Sequence, residues 1–246
     1  MCIYTLKEVI SFYQKHGSNI FIGFLDASKV FDRVNHWKLL KKLIIRGMPV
    51  LFVRLLAFFL STQELYVKWG NVKSNVFKAS NGVRQGSVLS PILFNIYMDD
   101  LSVSLVKSNA GCYINKTCSS HLMYADDICL LAPSAKGLQK LIDICESYSV
   151  DNDLLFNATK SVCMYLNSSA FKLRNIPKVF LNNVPMQCVN SYKYLGHILC
   201  ASGSDNSDIQ QQVCKFYARA NSLIRNFSYC SWNVKSTLFN SFCTSV

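Results

Sequence analysis

Tyr124-Ala125-Asp126-Asp127 sets two adjacent carboxylates between apolar runs, His121-Leu122-Met123 before and Ile128-Cys129-Leu130-Leu131 after. The surrounding chain carries a formal net charge of +12. This pattern predicts a β-hairpin with the acids at its turn. Neighbouring carboxylates repel, and desolvating them costs on the order of several kcal/mol unless a cation or a donor neutralises them. A hairpin that delivers acids to a bound divalent metal meets that need. A solvent-exposed turn, where Asp is common, is the other reading of these residues alone.

Asp26 is the natural partner for the pair. It closes the apolar run Ile20–Leu25 (IFIGFL) within FIGFLDASKVFDRVNH, so the end of a strand would hold it rigidly. If that strand lies beside the hairpin, Asp26 and Asp126 converge on one site. Carboxylates from neighbouring strands, completed by substrate phosphates, are a usual ligand set for Mg²⁺. A pair of such ions can activate an attacking hydroxyl and stabilise a leaving pyrophosphate. Two carboxylates also suit glycosidase-like acid/base chemistry, which the basic balance of the chain makes less attractive.

The elements that must position these acids follow from periodicity. Residues 3 to 16 read as a helix ended by His16-Gly17, and 35 to 46 as an amphipathic helix stopped by Gly47 and Pro49. Residues 50 to 60 (VLFVRLLAFFL) are too short to span a bilayer, carry Arg54, and read as a buried amphipathic helix. Alternation around Gly70-Asn71 predicts a two-stranded hairpin. A small, polar loop over 81–87 leads to a helix beginning near Ser90-Pro91, with Asp99 and Asp100 expected at its solvated end. His36 and Trp37 read as a helix start without a ligand role, and Asp32 as structural. After the hairpin come a helix over 135–149, strands near 162–166, 179–181 and 192–199, and a basic helical tail from 205. Strands interleaved with helices without a regular βαβ rhythm argue for an α+β fold, an antiparallel sheet with helices packed on one face.

The chain has 246 residues, with 26 Lys+Arg against 14 Asp+Glu. That excess favours a polyanionic partner, most often nucleic acid, over an anionic membrane surface. Eleven cysteines, an odd count without a secretory signal and many at apolar positions, are expected as reduced core thiols of an intracellular protein of nucleus or cytoplasm. The only metal-like spacing, Cys112-x5-Cys118-x2-His121, lacks a fourth ligand with paired spacing and reads as a hairpin entering the Tyr-Ala-Asp-Asp strand.

Taken together, FLDASKVFDRVNH, NGVRQGSVLSPILFNIYMDDL, HLMYADDICLLA, FNATKS and YKYLGHIL resemble, in order, the successive palm motifs and the primer-grip hairpin of a reverse transcriptase. The resemblance is to the LINE type, from retrotransposons without long terminal repeats. It implies a polymerase palm with partial fingers over residues 1–200 and the start of a helical thumb over 201–246. It further implies an RNA-directed DNA polymerase that uses an RNA template, a DNA primer and deoxynucleoside triphosphates, with two Mg²⁺ ions and Mn²⁺ as a possible substitute. Asp26 and Asp126 would be the principal metal ligands, with Asp127 assisting. Phe31 matches the steric gate against a ribose 2′-hydroxyl, and Arg84, Gln85 and Gly86 the nucleotide pocket. Lys160 matches the lysine that neutralises or protonates the leaving pyrophosphate, and Tyr194, Leu195 and Gly196 the primer grip. Val30 stands where the family usually has alanine. Finger strands upstream and the full thumb are expected to be missing, which keeps open a catalytically silent retroelement remnant that only binds nucleic acid.

Overall fold

The computed structural model describes residues 2–84, 86–167 and 175–244, in two compact units, Met1–Val189 and Asn190–Val246. The first unit opens with α1 (Cys2–Lys15), β1 (Ile20–Asp26), α2 (Val30–Arg33), α3 (His36–Ile45) and α4 (Val50–Ser61). A ribbon of short strands follows: β2 (Glu64–Leu65), β3 (Lys68–Trp69), β4 (Val72–Lys73) and β5 (Phe77–Lys78). Next come α5 (Ser90–Lys107), β6 (Cys112–Ile114), β7 (Thr117–Ser119), β8 (His121–Tyr124), β9 (Asp127–Ala132) and α6 (Ala135–Asp151). The unit closes with β10 (Val162–Leu166), β11 (Phe180–Leu181), β12 (Val184–Pro185) and β13 (Gln187–Cys188).

Its centre is a five-stranded sheet in the order β13-β10-β1-β9-β8, antiparallel except where β13 joins β10. The apolar run of β1 is buried continuously from Ile20 to Leu25, so both of its faces need cover. On one face, Phe21 and Leu25 meet Ile128 and Leu130 of β9 in a core closed by α5 and α6. A Cβ on Gly23 would stand 3.1 Å from Leu138 Cδ1, so α6 packs directly on the middle of the strand. The expected face of packed helices is this one. The other face also has a helix. Cys129 stands opposite Phe24, and its thiol, raised by burial, has Cys112 and Cys2 of α1 as electrostatic neighbours.

Two sequence expectations change here. The helix over 50–60 is not buried: α4 sends only Val53, Leu56 and Leu60 inward, while Leu51 and Phe58 are 80% and 67% exposed. Its residues are apolar on every side, and only a three-to-four-residue stripe faces the core. Asp99 and Asp100 do not end a helix, because α5 runs on to Lys107. They form ion pairs with Lys42 of α3 and with Arg46, the residue that caps its C-terminus, Arg46 Nη2 standing 2.6 Å from Asp99 Oδ2. Nothing in the local sequence of α5 announces partners more than fifty residues back.

The second unit comprises β14 (Ser191–Tyr194), β15 (His197–Cys200), α7 (Asn206–Asn226) and α8 (Trp232–Phe242). β14 and β15 form a sheet of their own. Leu195 and Gly196 connect them at φ 46° and 88°, both positive as the tight type I′ hairpin turn requires. The buried carboxylate of Asp208 in α7 accepts from Ile198 N and bonds His197 Nδ1, each at 2.9 Å. Compactness therefore divides the chain after residue 189, whereas the sequence reading divides it after 200: the hairpin is bound to the helix that follows it.

Candidate active site

The register of the central sheet stands Asp26 directly opposite Asp127. Directly opposed residues have Cβ atoms about 4.5–5.5 Å apart. Tyr124 also pairs with Asp127, across β8 and β9, which leaves Ala125-Asp126 as a two-residue turn. Ala125 sits at φ 52°, a conformation that costs an L side chain energy and is tolerated where the surroundings enforce it. The carboxyl of Asp127 is held above its ordinary range, first by burial and then by the charges of Asp126 and Asp26. Three carboxylates from two adjacent strand ends thus lie within electrostatic reach of one another. The sequence reading pairs Asp26 with Asp126; the backbone gives the direct position to Asp127 and places Asp126 at the tip.

A second segment closes on Asp26 from the other side. Its backbone N–H donates to Ser161 Oγ at 3.0 Å, and its carbonyl accepts from Asn157 N at 2.8 Å. Ser28 N donates to Leu155 O, and Ala27 bridges to Phe156. Within this segment the side-chain oxygen of Asn157 accepts from Thr159 N at 3.0 Å and Lys160 N at 3.3 Å, an Asx turn. Exposed Lys160 is thereby carried to the same end of β1 as Asp26.

Phe31 lies in the short helix after Asp26, half-buried, with its ring 4.5 Å from that of Phe94 in α5. The loop ahead of α5 is sewn to this helix. Val83 N donates to Phe31 O and Gly82 N to Val34 O, both at 2.8 Å. Gly82 takes φ +91°, and a Cβ there would stand 2.9 Å from Asp32 Cα, so only glycine fits. Beyond it, Arg84 Nη2 donates to Glu64 O at 3.4 Å, and Gly86, at φ +84°, faces open space. Gln85 lies outside the described residues. A cavity of about 400 Å³ borders the acid-bearing hairpin, lined by Phe94, Asn95, Met98, His121, Met123 and Ala125 among others.

The donor set is hard, oxygen-only and incomplete. Among the described residues no His, Cys, Asp or Glu group forms a ready-made three-ligand metal cluster. The opposed carboxylates of Asp26 and Asp127, with Asp126 at the adjoining turn, are hard oxygen donors of the kind that hold a divalent cation together with substrate phosphates and water.

A family model described as reverse transcriptase (RNA-dependent DNA polymerase) matches residues 3–199. The chain belongs to the reverse transcriptase family. It is 28% identical over 207 residues to the Pol polyprotein of the type-2 retrotransposable element R2DM of Drosophila melanogaster, covering 79% of this chain and 19% of that protein. It is 31% identical over 182 residues to the RNA-directed DNA polymerase from mobile element jockey of Drosophila funebris, covering 72% and 19% respectively. This reverse transcriptase chain spans about a fifth of the length of those two relatives. These retrotransposon relatives bear out the resemblance to the LINE type. Among solved structures, apo telomerase from Candida tropicalis superposes with a TM-score of 0.57 at 16% identity, over 90% of this chain and 38% of that one. At that identity the likeness is one of fold, and it bears out the α+β architecture.

Several supports of this candidate site escape a reading by motif. Phe94 backs Phe31, Ser161 holds the Asp26 amide, and buried His36 Nε2 donates to Gly82 O at 2.7 Å. Their only sequence signal is membership of the same motif segments. Tyr194 is buried in the second unit, and Leu195 and Gly196 form its hairpin turn.

Proposed function

We propose that this chain is the catalytic palm, with the beginning of a thumb from residue 201, of an RNA-directed DNA polymerase. The observation that carries this reading is the register of Asp26 opposite Asp127 with Asp126 at the adjoining turn. A primer 3′-oxygen forms a bond to the α-phosphorus of a deoxynucleoside triphosphate as the α–β bridging P–O bond breaks. The hydroxyl proton passes to solvent water and pyrophosphate departs. Asp26, Asp126 and Asp127 would hold two Mg²⁺ ions, or Mn²⁺ in their place, which when bound supply charge neutralisation at the reacting phosphates.

The chain's own residues do the positioning. Phe31, braced by Phe94, presents a wall to the sugar edge and excludes a 2′-hydroxyl. Arg84, Gln85 and Gly86 provide donors and close backbone approach to the nucleotide, with the RNA template passing alongside. Lys160 neutralises charge on the departing pyrophosphate, with its turn anchored to the Asp26 strand end. Tyr194, Leu195 and Gly196 seat the primer.

Primer extension on an RNA template with Mg²⁺ and four deoxynucleotides tests this, beside an Asp126→Ala, Asp127→Ala double variant. Extension by the wild type alone is the expected result. Folded wild-type protein that binds primer–template yet extends nothing would overturn it in favour of a silent nucleic-acid binder.

A further inference from the structure

The ribbon between α4 and α5 is unusual in what it exposes. Every residue from 66 to 78 is exposed, including Trp69 at 85%. β3 and β4 are two residues each, joined by Gly70-Asn71 with Gly70 at φ 58°. A two-stranded ribbon of this size is marginal in water on its own. Its register makes matters worse, because Lys68 stands directly opposite Lys73. Like charges in that relation repel and weaken the pairing. No acidic residue occurs between Leu65 and Met98, whereas Lys68, Lys73, Lys78 and Arg84 do. Lys78 is matched in register by Glu64. Lys68 and Lys73 have no carboxylate partner among the described residues, and the Lys73 ammonium lies 5.0 Å over the Tyr66 ring.

We propose that the β3–β4 ribbon is a contact for single-stranded nucleic acid, with phosphates on Lys68 and Lys73 and a base stacked on Trp69. A polyanion converts the repulsion between the two ammonium groups into attraction, which a neutral protein surface does not. On a strand, alternate residues face opposite ways. Trp69 pairs with Val72 on the face away from the two lysines, so a single strand passing around the Gly70-Asn71 end of the ribbon meets phosphate ligands on one face and an aromatic platform on the other. Paired cations with an exposed indole are the elements of sequence-tolerant single-strand binding. This contact rests on the polynucleotide substrate proposed above, but it requires no catalysis.

The test is fluorescence anisotropy of the full chain without nucleotides, using labelled oligouridylate and oligothymidylate of about 20 nucleotides and a duplex of the same length. For the single strands, Lys68→Ala, Lys73→Ala should lower the slope of log affinity against log salt by about 1.4, two contacts at about 0.7 each. Lys68→Arg, Lys73→Arg should restore it. Trp69→Ala should weaken single-strand binding roughly 5- to 100-fold without changing the slope, the scale of one lost base stack. An unchanged slope in the alanine pair, or unchanged affinity in the Trp69 variant, overturns the proposal. So does loss of a self-association in sedimentation by Trp69→Ala with nucleic-acid affinity intact, which would mark a protein contact. Circular dichroism confirms that each variant is folded. A chain that fails primer extension but keeps the lysine-dependent slope would sink the polymerase reading and leave this one standing.

Discussion

Nε2 of His36 donates to the carbonyl oxygen of Gly82 at 2.7 Å in a buried bond that ties the start of α3 to the loop ahead of α5. The same loop is held to α2 by Gly82 N and Val83 N. These bonds fix the backbone between the Phe31 segment and Arg84. His36→Ala leaves the buried carbonyl without its donor, and should cost about 1–3 kcal/mol in urea unfolding. Nucleotide KM should rise more than kcat falls, because the loop is displaced while the carboxylates stay in place.

Gly82→Ala addresses the same junction through the backbone. At φ +91° an alanine is strained, and its Cβ would meet the backbone of Asp32 at 2.9 Å. Neither side has a flexible side-chain end to yield. The expected loss is about 2 kcal/mol or more in unfolding free energy. Gly86→Ala is the control: its φ is also positive, but nothing lies within 4 Å of the added carbon, so the penalty should be distinctly smaller.

Asp127→Asn should separate stability from function. Burial and the charges of Asp126 and Asp26 work against ionised Asp127, so removing its charge relieves repulsion in the metal-free protein. The melting temperature should rise by a degree or more, equivalent to a few tenths of a kcal/mol. Extension should fall roughly 10²-fold or further, the scale of losing one preorganised charge at a reacting centre. A thermal shift assay without divalent metal, beside single-turnover extension with it, reads both. A variant that is less stable and inactive would show instead that Asp127 holds the hairpin together.

Much of this site was legible because it is local. A six-residue apolar run ending in Asp26 can hardly be anything but a buried strand, and two acids between apolar stretches mark a hairpin tip. What stayed hidden depends on register and distance. No local rule says whether Asp126 or Asp127 stands opposite Asp26, since one residue of slip exchanges them. Phe31 and Phe94, or His36 and Gly82, meet only after the sheet has formed. The sequence reading places helices on one face only; burial of β1 from Ile20 to Leu25 on both sides requires cover on the other face as well, and only the structure shows α1 there. For α4, uniform apolarity hid which stripe faces inward, and tertiary packing chose Val53, Leu56 and Leu60.

His121 should make stability sensitive to mild acid. It borders the cavity beside the hairpin, with Nε2 2.8 Å from Ser102 Oγ and Nδ1 3.0 Å from Ser120 Oγ. Burial lowers its pKa from the ordinary 6.5. The unfolded imidazole therefore takes up a proton near pH 6.5 while the folded one stays neutral. Through that window the unfolded state binds more protons, so stability is lost as pH falls, by at most about 1.4 kcal/mol per pH unit. Urea midpoints at about pH 7 and pH 5.5 should differ more for the wild type than for His121→Gln, which keeps a neutral hydrogen-bonding group. Equal differences would show that other groups carry the acid sensitivity.

In the second unit, the prediction concerns one amide. The carboxylate of Asp208 accepts from Ile198 N and bonds His197 Nδ1, which locks the residue after the Leu195-Gly196 turn to the start of α7. Ile198 is the partner of Lys193 in the hairpin, so the same carboxylate fixes the strand that follows the turn. Asp208→Ala removes both bonds and leaves a part-buried donor open, at a cost of about 1–3 kcal/mol. Hydrogen exchange at the Ile198 amide should accelerate roughly 5- to 150-fold, the equivalent of that loss in local opening. Asp208→Asn, which keeps an acceptor for the amide but not the charge, should recover most of the protection at Ile198. If both variants exchange alike, the charge of Asp208 rather than its hydrogen bond to the amide holds the hairpin. With this turn as the primer grip proposed above, Asp208→Ala should also raise the primer concentration needed for half-maximal extension, while His121→Gln, in the other unit, should not.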